Sequence, residues 1–154
     1  MRRTIQRALV IVITGAALGL AANAVSPRRI SYRTPPPAAL KPGEIMALGQ
    51  AKEIWGTGAA FFLDARAPAD YAAGHIANAF SLPAEEFDAH YDQVASLLTP
   101  ESAIVCYCDG TECDLSRHLA DLLRQRGYTN VHILVNGWTS WHGAGYPTAT
   151  GAQP

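Results

Sequence analysis

From residue 45 onward, apolar positions follow two periods in turn. Residues 45–55 carry them at helical spacing, and Gly56 and Gly58 close that segment. AAFFLDAR (59–66) is a short apolar run ending in charge, which predicts a buried strand. A short helix around PADYAAG (68–74) precedes AFSLP (79–83), a second strand with proline at its end. In EEFDAHYDQVASLL (85–98), Phe87, Tyr91, Val94, Leu97 and Leu98 recur at helical spacing. SAIVCY (102–107) is the most continuously apolar strand. A helix over 114–126 then sets Leu115, Leu119, Leu122 and Leu123 on one face and ends at Gly127. VHILV (131–135) is a fourth strand, and TSWHGAG (139–145) opens a short last helix. Strands alternating with helices predict an α/β fold, a central parallel sheet flanked by helices on both faces. Ligands of such sheets bind beyond the carboxyl ends of the strands. CYCDGTECD (106–114) follows the central strand and is the leading site by position.

The first residues break this pattern. Arg2, Arg3 and Arg7 precede ALVIVITGAALGLAANAV (8–25), eighteen residues without a charge, and Ala22-Asn23-Ala24 has the small-x-small form of a cleavage site. Residues 1–25 read as a signal peptide or as a membrane anchor acting through 8–25, since eighteen apolar residues just suffice to cross a bilayer. Either way the domain is expected to be exported, periplasmic or membrane-anchored facing the periplasm. SPRRISYRTPPPAALKPG (26–43) holds five prolines and is expected to be an extended linker. The folded domain is expected over 44–148, with 149–154 as a tail.

Composition narrows the function. The chain of 154 residues is 49% hydrophobic and 16% charged, as one small domain plus an apolar segment would be. Beyond residue 24, nine basic residues face thirteen acidic ones. A mildly acidic domain lacks the electrostatic footprint for nucleic acid, so no nucleic-acid partner is expected. Three cysteines permit at most one internal pair, so the core and not a disulfide framework must stabilise the fold.

Within 106–114, Cys108 precedes a turn (Asp109, Gly110, Thr111) that feeds into a helix. Backbone N–H groups and a helix N-terminus there stabilise an anion and lower a thiol's pKa. Asp109, Glu112 and Asp114 oppose this if they turn toward the sulfur, and matter less if they turn to solvent. Asp114 suits the N-cap of the helix. Cys113 is either a buried helix-start residue or a resolving thiol that captures an oxidised or persulfidated Cys108. Cys108, Cys113 and His118 make three metal ligands with no fourth evident, so no metal or other cofactor is expected. The residues alone leave a nucleophile's cradle, a switchable dithiol and a metal clip open, the metal clip being the weakest. Cys106 reads as a buried hydrophobe, and His75 as a structural hydrogen-bonding residue. His90, His132 and His142 read as surface or edge residues, and Trp138 and Trp141 as packing beneath the loop end of the sheet.

Two stretches resemble the rhodanese-like (sulfurtransferase) family. One is FLDARAPADYAAGHIANAFSLP, where Asp64, Arg66, Tyr71, Gly74, His75, Ile76, Ala79 and Pro83 fall on recurrent positions. The other is IVCYC followed by LSRHLADLLRQRGYTNVHILVNGWTSWHGAGYP. The resemblance spans about residues 44–148, in the single-domain form with a CxxxxC loop. It implies that Cys108 is catalytic, carrying a sulfane sulfur as a persulfide between a sulfur donor and a thiol or cyanide acceptor. It implies that the backbone of Asp109, Gly110, Thr111, Glu112, Cys113 and Asp114 cradles that persulfide. Cysteine at position 113 also occurs among relatives, which supports a dithiol loop, and since an exported site has no cytosolic reductant, a redox partner protein that reduces it is a further expectation. The sequence departs from the family where Asp109 replaces the usual basic residue, in a loop one or two residues longer before Ser116, and at Asn136-Gly137. Thiosulfate, a dianion, is therefore expected to be a poor donor beside a persulfide or polysulfide. Related phosphatases place an arginine six positions after the cysteine, where Asp114 stands, which excludes phosphate chemistry. A non-catalytic binding module and a redox dithiol protein are the alternatives.

Overall fold

A computed structural model describes residues 6, 7, 12, 14, 15, 44–110 and 114–152. The chain divides into two compact units, Met1–Ala38 and Ala39–Pro154. The described residues of the first unit are helical; the rest of the expected leader and all of the expected linker lie outside the described residues. Among the described residues, no helix is long and apolar enough to cross a membrane.

The second unit is built on a four-stranded sheet in the order β3-β1-β4-β5, all parallel. Its strands are β1 (Phe61–Asp64), β3 (Phe80–Ser81), β4 (Ile104–Tyr107) and β5 (Val131–Leu134). The helices are α1 (Leu48–Thr57), α2 (Pro68–Ala73), α3 (Phe87–Ala95), α4 (Leu115–Gln125) and α5 (Gly137–Gly143). A small antiparallel pair joins β2 (His75–Ile76) to β6 (Thr148–Ala149), and neither strand was evident in the hydrophobic pattern. Two-residue strands are too short to show a period, and their partner is far along the chain. Residues 45 and 46, expected to begin a helix, instead lie along β5. Ile45 bridges Ile133, and the Ile133 N–H donates to the Glu44 carbonyl at 2.7 Å. The predicted 85–98 helix resolves into a 3-10 turn (Ala84–Glu86) and α3.

All four residues of β4 are buried, as a strand covered on both faces requires. Alternation along the strand divides the core in two. Ile104 and Cys106 join Leu63, Phe87, Leu119, Leu123 and Ile133 beneath α3 and α4. Val105 and Tyr107 join Ala51, Phe62, Leu134 and Trp141 beneath α1 and α5. The predicted leucine face of α4 holds: Leu119 and Leu123 are fully buried, and Leu115 and Leu122 pack at the margin. Each fully buried leucine contributes about 2 kcal/mol. Cys106 is the expected inert hydrophobe. Burial pushes its thiol far above the ordinary range, so it is not a nucleophile at neutral pH.

Candidate functional site

The register aligns Asp64 with Ser81 and with Tyr107, and Tyr107 with Leu134. The four strands therefore end together, and the segments after them meet at one edge of the sheet. Cys108 is the first residue beyond β4. It continues the strand's alternation, so its side chain joins the core under α4 and is fully buried. Its Sγ lies 3.2 Å from Oγ of Ser116, itself buried in the first turn of α4. The helix start thus brings a hydroxyl to the sulfur. Cys108 is disulfide-bonded in the structure, and Cys106 is free.

The same alternation sends Asp109 to the other side, toward α5. Its carboxylate accepts hydrogen bonds from the Thr139 hydroxyl and from the Gly110 N–H (2.9 Å). The Gly110 N–H also donates to Asn136 Oδ1 at 3.0 Å, and the Trp138 N–H donates to the Cys108 carbonyl at 3.1 Å. Asp109 is thus exposed and bound to α5, which answers for this acid the question of which way it turns. The cost falls on Gly110: its amide, expected in the cradle, is already bound to two side-chain oxygens. Gly110 has φ +80°, a left-handed conformation that favours glycine.

Asp114 occupies the N-cap position but does not cap, contrary to expectation. Its backbone is helical (φ −79°, ψ −12°) rather than extended, so its carboxylate does not curl back onto the first-turn amides. The carboxylate instead lies 3.9 Å from Arg117 and faces solvent. Thr111, Glu112 and Cys113 lie outside the described residues. His118 is exposed on α4 beside a cleft of about 300 Å³ that Glu85, Glu86 and Asp88 also line. Among the described residues, no group of three or more His, Cys, Asp or Glu is placed to hold a metal.

Behind the loop lies a buried polar network. The Arg66 guanidinium bonds both Asp64 oxygens (Nη2 to Oδ2 2.6 Å, Nε to Oδ1 2.9 Å) and donates to the Gly74 carbonyl at 2.6 Å. Burial works against its charge, but the Asp64 pairing, with Tyr107 and Asp109 nearby, outweighs that and raises its pKa. The Trp138 ring covers the guanidinium at 4.9 Å. The Tyr107 hydroxyl accepts from the Ile76 N–H at 3.1 Å, and burial, then the Asp64 charge, keep this phenol protonated. His75 is structural, as expected. Its ring stacks on Tyr71 at 3.7 Å, and Nδ1 bonds the Tyr71 carbonyl at 2.8 Å. Trp141 packs in the core as expected, while Trp138 lies partly exposed over Arg66.

Residues 47–144 match the family described as Rhodanese-like domain. The chain belongs to that family. A rhodanese-like domain of the Alr3790 protein from Anabaena sp., solved in solution, is 30% identical, with a TM-score of 0.59 over 70% of this chain and 79% of its own. Thiosulfate sulfurtransferase from Pseudomonas aeruginosa shares the fold, with a TM-score of 0.59 at 22% identity over 70% of this chain and 20% of its own. The HTH-type transcriptional regulator Rv0324 of Mycobacterium tuberculosis is 34% identical over 90 residues, 58% of this chain. The chain spans 38% of that curated relative's length. In this rhodanese-like domain, Asn136 and Thr139 are the site residues that sequence reasoning missed as such. In sequence Asn136 is only a departure in the glycine pair, and nothing local marks either as a partner of a loop some thirty residues upstream.

Proposed function

We infer that this rhodanese-like domain is a sulfurtransferase whose nucleophile is Cys108. The observation that carries this is the place of Cys108, the first residue beyond the carboxyl end of the central strand, with the Ser116 hydroxyl 3.2 Å from its sulfur. When reduced, the Cys108 thiolate attacks the outer sulfur of a persulfide or polysulfide donor and expels the donor's thiolate, leaving a persulfide on Cys108. An acceptor thiolate, or cyanide, then attacks that outer sulfur and releases the Cys108 thiolate. The Ser116 hydroxyl and the loop amides other than that of Gly110 stabilise the anion at each stage. Thiosulfate is a poor donor here. No basic residue stands in 108–114, and the Arg66 guanidinium is committed to Asp64 and the Gly74 carbonyl.

A dithiol reading is favoured by the disulfide-bonded state of Cys108. Cys113 then acts as resolving thiol: its thiolate attacks the inner sulfur of the Cys108 persulfide, forms the disulfide and expels hydrosulfide. A dithiol reductant restores both thiols. On the apolar leader 8–25, this chemistry is assigned outside the cytoplasm, where a redox partner protein supplies that reductant.

Intact mass of the reduced chain after exposure to polysulfide, and separately to thiosulfate, tests the reading. A gain of one sulfur that disappears only in Cys108→Ser is expected. A loss of two hydrogens, absent from both Cys108→Ser and Cys113→Ser, would put the dithiol reading first. No change with any donor would leave a binding module.

A further inference from the structure

An aspartate directly after the nucleophile is electrostatically adverse, because a carboxylate near a thiolate disfavours the charged sulfur. The structure shows how the two are kept apart. Backbone alternation past β4 puts the Cys108 side chain under α4 and the Asp109 side chain against α5, on opposite sides of the extended chain. That separation would mean little if Asp109 swung freely, since it is exposed and one rotation about its own side chain redirects it.

Its position is set by α5. The Thr139 hydroxyl donates to Asp109 Oδ1, and the Gly110 N–H donates to the same oxygen at 2.9 Å. The α5 start is itself tied to the loop by Trp138 N–H to the Cys108 carbonyl (3.1 Å) and by Asn136 Oδ1 from the Gly110 N–H (3.0 Å). Asp109 also lies within the field of the Arg66 guanidinium. We propose that Thr139 is a positioning residue that holds the Asp109 carboxylate on the α5 side, so that Cys108 works as a nucleophile beside an acid. This rests on Cys108 being the nucleophile.

Other charges lie near Cys108, and the test must separate them. Arg66 follows β1, Glu85 and Glu86 lie on the 3-10 turn, and Asp114, Arg117 and His118 belong to the start of α4. Tyr107 precedes the cysteine, and Glu112 belongs to the loop by sequence. None of these depends on the Thr139 hydroxyl, so a double-mutant comparison isolates Asp109.

The experiment follows the pH dependence of Cys108 alkylation in the reduced full chain, in a Cys113→Ser background that prevents the disulfide, with peptide-resolved mass spectrometry and no sulfur donor present. Thr139→Val keeps the shape of the side chain and removes its hydroxyl. Freed, the carboxylate comes closer to the sulfur and raises the Cys108 pKa by roughly half a unit, about a threefold slower alkylation below that pKa. Thr139→Ser keeps the hydroxyl and leaves the pKa as it was. In an Asp109→Asn background, Thr139→Val has no effect. Asp109→Asn alone, in which α5 is untouched, changes the pKa by less than about 0.3 unit, because the pinned charge is poorly felt. This pattern carries the proposal. A shift equal in both backgrounds, no shift with Thr139→Val, a shift shared by Thr139→Ser, or a fall of a full unit with Asp109→Asn alone would overturn it. Because no sulfur is transferred, failure of the sulfurtransferase reading is seen separately, as normal alkylation without sulfur uptake.

Discussion

Gly137 is where the last helix touches the central strand. A Cβ placed on it would stand 2.6 Å from the Tyr107 Cβ and 3.2 and 3.3 Å from the Leu134 Cγ and Cδ2. Carbon atoms pack at about 3.5–4.0 Å, so Gly137→Ala requires α5 and β4 to separate by roughly 1 Å. Tyr107 is fully buried in the middle of the sheet edge, and its Cβ has no rotamer by which to withdraw. Overpacking of this kind costs about 1–3 kcal/mol. Alanine gains up to about 1 kcal/mol over glycine inside a helix, and less at the first turn, so the steric cost wins. A net loss of about 1.5 kcal/mol lowers the melting temperature of a domain near 100 residues by roughly 6–12 °C. Since α5 also holds the loop through Trp138 and Asn136, the same variant should alkylate faster at Cys108. Thermal unfolding by circular dichroism, with alkylation measured alongside on the reduced chain, reads both effects. A melting temperature within about 2 °C of the wild type would refute the reasoning, since it would mean the contact relaxes freely.

Ser116→Ala removes the hydroxyl beside the Cys108 sulfur; hydrogen bonds to charged groups are worth about 1.5–3 kcal/mol, so the thiol pKa should rise by roughly one unit, read in an alkylation profile. Asp64→Asn strands the buried Arg66 charge and should cost about 3 kcal/mol, with Arg66→Met in the same chain recovering part of it, both followed by urea unfolding. Alkaline stability follows from Tyr128, whose phenol is pushed up to about 12 by burial and by its 3.1 Å bond to Tyr91. The folded pKa exceeds the unfolded one, so this contribution is complete below pH 10 and is lost as pH rises from about 10 to about 12. Tyr128→Phe should flatten that limb of the urea midpoint against pH.

Much of the architecture was legible because it depends on local period. The unbroken apolar run of β4 and the leucine face of α4 are patterns of neighbours along the chain, and burial follows directly from them. The position of Cys108 at the end of the central strand came from the same reading, as did the inertness of Cys106. The short elements were not legible. Thr148 and Ala149 become a strand only because His75 and Ile76 lie opposite them. Residues 45 and 46 look helical in isolation, yet they extend along β5 because Ile133 offers backbone partners there.

The sequence by itself determined which residues line the sheet edge and that acids flank the cysteine, since both depend on order along the chain. Only the tertiary structure decided where the Asp109 carboxylate points. That direction is set by a hydroxyl on α5, thirty positions away in the chain. It also decided that the Asp114 side chain does not cap the helix, because its backbone had already turned helical. Charge is a property of composition, but its effect on a thiol depends on distance and direction, and these exist only once the chain has folded.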